Sequence, residues 1–128
     1  MKQHPVLRIK VNRLSPRHDH VVTNALLRVE HVNGLLPPPF EKLGMGKDFW
    51  VLELGPYEPK MTLGKWQAKA IPMLRRHIRL LRRQCKSGAL CFLHVQTESP
   101  TPIFPAYFQP NVITFLSQIE GSLEHGSA

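Results

Sequence analysis

A chain of 128 residues with 42% hydrophobic and 20% charged side chains reads as one globular domain, covering residues 1–128, rather than as a disordered or fibrous chain. No apolar run approaches the ~20 residues of a membrane span, and Met1-Lys2-Gln3-His4-Pro5 leads toward Arg8 and Lys10 rather than into an apolar signal stretch. Two cysteines are too few for a disulfide scaffold and fit a reducing, cytoplasmic setting. The net charge of +8 is unevenly placed: residues 60–97 hold nine Lys/Arg and no acid, whereas residues 98–128 hold three Glu and no Lys/Arg. Such a field attracts anions, whether nucleic acid, an acidic protein face or anionic lipid.

The alternation of Leu7, Ile9 and Val11 with Arg8, Lys10 and Asn12 predicts a first strand over Val6 to Leu14. Ser15-Pro16 then reads as a helix start, and Val22, Ala25, Leu26 and Val29 follow at helical spacing up to a stop at Asn33-Gly34. Leu35 to Phe40, with three consecutive prolines, reads as an extended linker within the domain. Gly44-Met45-Gly46-Lys47 is a turn. It fails as a phosphate loop because Glu41 and Asp48 stand where glycine and Ser/Thr are required. A second strand spans Asp48 to Leu54.

Thr62 is a candidate helix cap, and Pro72 implies a break or kink near Ala70. The strongest helix runs from about Pro72 to Lys86, with Ser87-Gly88 as its stop. Ala89 to Thr97 is nearly continuous in apolar residues at Leu90-Cys91-Phe92-Leu93, which predicts a central strand covered on both faces. Ile103 to Phe108, carrying Pro105, reads as a short edge strand. Asn111 to Glu120 reads as a last helix, and 121–128 as a flexible tail beyond a core of about residues 5–120. The resulting β-α-β-α-β-β-α order predicts an α+β fold, mostly antiparallel and ferredoxin-like or related, with helices on one face of the sheet.

The helix over Ile71 to Lys86 has two faces. Ile71, Leu74, Ile78, Leu81 and Cys85 form an apolar stripe. Arg75, Arg79, Arg82 and Lys86 form a second face, with Arg76 and Arg83 at its edge. Either this face is solvated, or it binds an anion or a partner. Met73 and Leu80 flank it as candidate hydrophobic contacts, and Glu98, Glu120 and Glu124 are candidates to neutralise it from within the chain.

His18-Asp19-His20 would sit in a solvated first helical turn, where i and i+2 neighbours do not share a face, so no metal site is expected there. Cys85 and Cys91 fit neither a C-x-x-C redox motif nor a zinc half-site, and both fall at apolar positions. No G-x-S-x-G elbow or local Cys-His pairing marks a catalytic set. Neither catalytic residues nor a cofactor or small-molecule ligand is expected, although a site assembled only in space stays open.

Val6-Leu7-Arg8-Ile9 before Ser15-Pro16, followed by Gly46-Lys47-Asp48-Phe49-Trp50-Val51-Leu52-Glu53, resembles a bacterial family of small proteins, the domain-of-unknown-function family four-two-seven-nine. The resemblance would cover about residues 5–124. It implies a compact cytoplasmic domain with an interaction role, immunity-like in some relatives, and it brings no catalytic residue. Prolines 37–39, the arginine-rich helix and the missing strand after Gly121 depart from the family pattern. The sequence therefore favours a non-enzymatic module that presents its arginine helix to an acidic protein partner or to another copy of itself. The alternative is a backbone-dominated, sequence-tolerant nucleic-acid-binding domain.

Overall fold

Val21–Glu30 forms strand β1, the longest strand among the described residues and the middle strand of the sheet. The structure, a computed structural model, describes residues 19–44, 49–99 and 105–127. After β1 come β2 (Glu41–Leu43), β3 (Phe49–Glu53), α1 (Leu63–Arg76), α2 (Ile78–Lys86), β4 (Leu90–Glu98), α3 (Pro110–Gln118) and β5 (Ser122–Ser127). The strands make one five-stranded mixed sheet in the order β2-β3-β1-β4-β5. All pairings are antiparallel except β4 with β5, which run parallel with α3 as the crossover between them. The fold is α+β and mostly antiparallel, as the composition of elements predicts. Its order differs.

The first difference is β1 itself, which the spacing of Val22, Ala25, Leu26 and Val29 presents as a helix. A register shift between Val22 and Asn24 marks a β-bulge. The extra residue brings Val22 and Ala25 onto the same face although they are three apart. Beyond the bulge the strand alternates normally, so Ala25, Leu27 and Val29 are buried and Leu26 is not. The bulge thus mimics a helical period. Val21, Val22, Thr23 and Val29 carry the β-branched signal that spacing overrode.

The second difference lies in the helical segment. Thr62 caps α1, its Oγ1 accepting from the Lys65 backbone N–H. The helix then runs through Pro72 and breaks only at His77. Pro72 is on the exposed side, and the carbonyl it leaves unpaired belongs to exposed Ala68. The buried stripe of Leu63, Trp66, Ala70, Ile71 and Leu74 holds the helix together past the proline. The stripe resumes after the break with Leu81, and Ala89 N–H closes the turn onto Gln84 O at 3.0 Å with Gly88 at φ +104°.

Three further expectations change. β4 is not covered on both faces: Cys91, Leu93, Val95 and Thr97 are buried, while Leu90 and Gln96 are exposed. Residues 105–109 contain no strand, and 103–104 lie outside the described residues. The expected tail forms β5 from 122 onward, so the strand thought missing after Gly121 is present. It follows a helix stop made by Glu120 in the left-handed region at φ 52°. The strand expected over Val6 to Leu14, Ser15-Pro16, His18 and Met45 to Asp48 lie outside the described residues.

One core lies between the sheet and its helices. It joins Leu27, Val29, Trp50, Leu52, Leu93 and Val95 to Trp66, Leu74, Leu81, Phe115 and Leu116. Trp66 is oriented by its Nε1–H, which donates to Leu54 O at 2.6 Å. Gln67, only 1% exposed, donates to Tyr107 O at 3.0 Å and accepts from Gln109 N–H at 2.6 Å. It thereby anchors the segment that enters α3.

Candidate functional site

The break at His77 sets the geometry of the basic surface. His77 N–H bonds back to Leu74 O, its ring packs edge-on to Phe40 at 5.1 Å, and α2 begins at the next residue. The apolar side stays in phase across the break, so the cations stay in phase on the other side. Arg75 and Arg76 end α1; Arg79, Arg82, Arg83 and Lys86 line α2. All six are exposed, and among the described residues none forms an ion pair. Arg75, Arg76, Arg83 and Lys86 lie in last helical turns, where cations favour the helix dipole. That effect accounts for some of the arginines but not for the absence of acids among them.

The acids named as possible neutralisers are elsewhere. Glu98 is exposed on β4 without a described ion pair. Glu124 on β5 lies on the open face of the sheet, away from the helices. There it accepts from both terminal nitrogens of Arg28 at 3.2 Å and sits 3.6 Å from His94 Nδ1. Arg28 also donates to Glu30 at 2.7 Å and stacks over the Phe92 ring at 4.6 Å. The hydrogen bond to Glu124 raises the Arg28 pKa despite partial desolvation. This arginine is satisfied internally; among the described residues the six on the helices have no such acid partner. Glu120 shares a shallow cleft with Arg82, Cys85 and Lys86 but pairs with none of them.

Met73 and Leu80, the candidate apolar contacts, are only half-exposed. Met73 Sδ accepts a hydrogen bond from Tyr57 Oη at 3.2 Å, and Leu80 packs against the core. The basic ridge therefore lacks the apolar centre that sequence spacing suggested for it.

A second cluster escaped sequence reasoning. His20 is not in a solvated helical turn: it precedes β1 and is 4% exposed, and the Asp19 carboxylate accepts from Gly64 N–H at the start of α1. His20 Nδ1 lies 2.9 Å from Thr97 Oγ1, and the same oxygen lies 2.9 Å from His125 Nε2. Burial and the neighbouring His20 lower the His125 pKa below its ordinary value. One hydroxyl between two imidazoles makes a hydrogen-bond relay, but Thr97 is 0% exposed, so its oxygen is out of reach of a substrate. Only the β1–β4–β5 pairing brings residues 20, 97 and 125 together, and no local motif signals it.

The two thiols also meet. Cys85 Sγ and Cys91 Sγ are 3.4 Å apart across the turn from α2 to β4, and both are free. Burial drives the Cys91 pKa strongly upward.

No family model, curated protein or solved structure matches the chain. The resemblance to family four-two-seven-nine rests on the sequence pattern alone. Among the described residues, no helix is long and apolar enough to cross a membrane.

Proposed function

We propose that the protein is a non-enzymatic binding module whose α1–α2 ridge tracks the phosphate backbone of nucleic acid with little sequence preference. The observation that carries this reading is the ridge of six exposed cations that form no ion pair among the described residues, with flanking Leu80 packed on the core and Met73 bonded to Tyr57. Sequence alone ranks an acidic protein partner first, because Met73 and Leu80 would supply an apolar contact. Protein interfaces have apolar centres, whereas nucleic-acid interfaces are more polar and more positive. Self-association through this face is disfavoured by the like charge of two copies, each at +8. An acidic protein face is the second reading. It is favoured by the identity of the cations, five of six being arginine, the cation enriched at protein interfaces.

Fluorescence anisotropy with labelled duplex DNA, single-stranded DNA and RNA tests it. Each phosphate contact contributes about −0.9 to the log–log salt slope on duplex DNA, so engagement of most of the ridge gives a slope near −4 to −5. Affinity then falls by roughly 300- to 1,000-fold between about 50 and 200 mM salt. Replacing Arg75, Arg79, Arg82 and Arg83 by Glu is expected to abolish binding with an unchanged circular-dichroism spectrum, since all four side chains are exposed. Absence of binding at micromolar protein in low salt overturns the reading. Binding of poly-glutamate with no binding of nucleic acid moves the conclusion to the acidic protein partner.

A further inference from the structure

We propose that Cys85 and Cys91 form a peroxide-reactive dithiol site that closes to an intramolecular disulfide. The sulfurs are already 3.4 Å apart, so small side-chain rotations bring them to bonding distance, about 2.05 Å. The backbone around them is held by a tight turn: Gly88 N–H bonds to Cys85 O at 3.1 Å, and Ala89 N–H to Gln84 O at 3.0 Å. The two thiols are unequal, as a sensor requires. Cys91 is 2% exposed, whereas Cys85 is half-exposed and opens into the cleft shared with Arg82 and Lys86. Arg82 and Lys86 border the cleft through which an oxidant reaches Cys85. The raised pKa of Cys91 keeps it protonated and makes it the second thiol to react.

The chemistry balances with hydrogen peroxide as oxidant. Cys85 loses its proton to solvent, and its thiolate attacks one peroxide oxygen. The O–O bond breaks, hydroxide leaves and is protonated to water, and Cys85 becomes a sulfenic acid. Cys91 Sγ then attacks Cys85 Sγ: the S–S bond forms, the S–O bond breaks, and the hydroxyl leaves with the Cys91 proton as water. Two thiols supply two electrons to one peroxide, and an external thiol reverses the change.

The test is peroxide titration of the full chain, read by intact mass and by maleimide counting of free thiols. Both thiols are expected to disappear together with one equivalent of peroxide. The chain loses the mass of two hydrogens, remains monomeric on a non-reducing gel, and recovers both thiols with dithiothreitol. In Cys91→Ser, Cys85 accumulates a sulfenic acid that dimedone traps; in Cys85→Ser, Cys91 stays unreactive at the same dose. The wild-type thiol count decides the matter even if Cys91→Ser fails to fold. Loss of one thiol with retention of the other in the wild type, a dimedone adduct on Cys91, or disulfides only between chains would each overturn the proposal.

Discussion

Thr97→Val isolates the buried relay between the two imidazoles. Valine keeps the shape of threonine but removes the oxygen that lies 2.9 Å from both His20 Nδ1 and His125 Nε2. Each lost hydrogen bond costs about 1 kcal/mol net, and a buried polar group left facing a methyl costs about 1–3 kcal/mol. The two ends differ. His125 is exposed enough to turn to water, whereas His20 is 4% exposed and keeps the desolvation penalty at this nitrogen. The expected loss is therefore about 2–4 kcal/mol. Thr97→Ser retains the hydroxyl, removes one methyl and costs about 1 kcal/mol. Urea unfolding followed by Trp50 and Trp66, both buried, reads the difference. With an m-value of about 1–3 kcal/mol/M, the valine midpoint falls by roughly 1–2 M and the serine midpoint by well under 1 M. A valine variant as stable as the serine variant would refute the view that the hydroxyl stabilises the join of β1, β4 and β5.

Gln67→Leu strands Tyr107 O and Gln109 N–H and is expected to cost about 2–4 kcal/mol; the check is amide exchange, faster at 106–109 than in β1. Gln67→Glu keeps an acceptor for Gln109 but buries a carboxylate against carbonyls, so it should be more damaging at neutral pH and partly recover in acid. Two histidines set the pH dependence: burial with His20 nearby lowers the pKa of His125, and burial with Arg76 nearby lowers that of His77. With folded values below the ordinary 6.5, the unfolded chain binds protons first as pH falls. Urea midpoints should therefore decline from about pH 7.5 to 5.5, and less steeply in His125→Gln. A flat or rising profile would contradict the sign of both shifts.

Where a local pattern and its tertiary surroundings agree, the sequence sufficed: the Trp-containing strand β3, the Thr62 cap, the Ser87-Gly88 stop and the apolar stripe from Ile71 to Leu81 were all legible. So were the α+β class and the identity of the six ridge cations, because charge and period are properties of the chain itself. Other features depended on partners remote in sequence. The bulge in β1 disguised a strand as a helix, and only pairing with β4 reveals it. Core burial carried α1 through Pro72, against local propensity. The polar segment Ser122–Ser127 becomes a strand because β4 offers a parallel edge to it. The Tyr57–Met73 contact, the packing of Leu80 on the core, the His20–Thr97–His125 relay and the 3.4 Å approach of the thiols are likewise contacts between side chains carried by different elements. Composition and period specify which groups a chain possesses and the face on which a regular element displays them. Which groups meet is decided by sheet register and packing, whose energies arise only when distant segments come together.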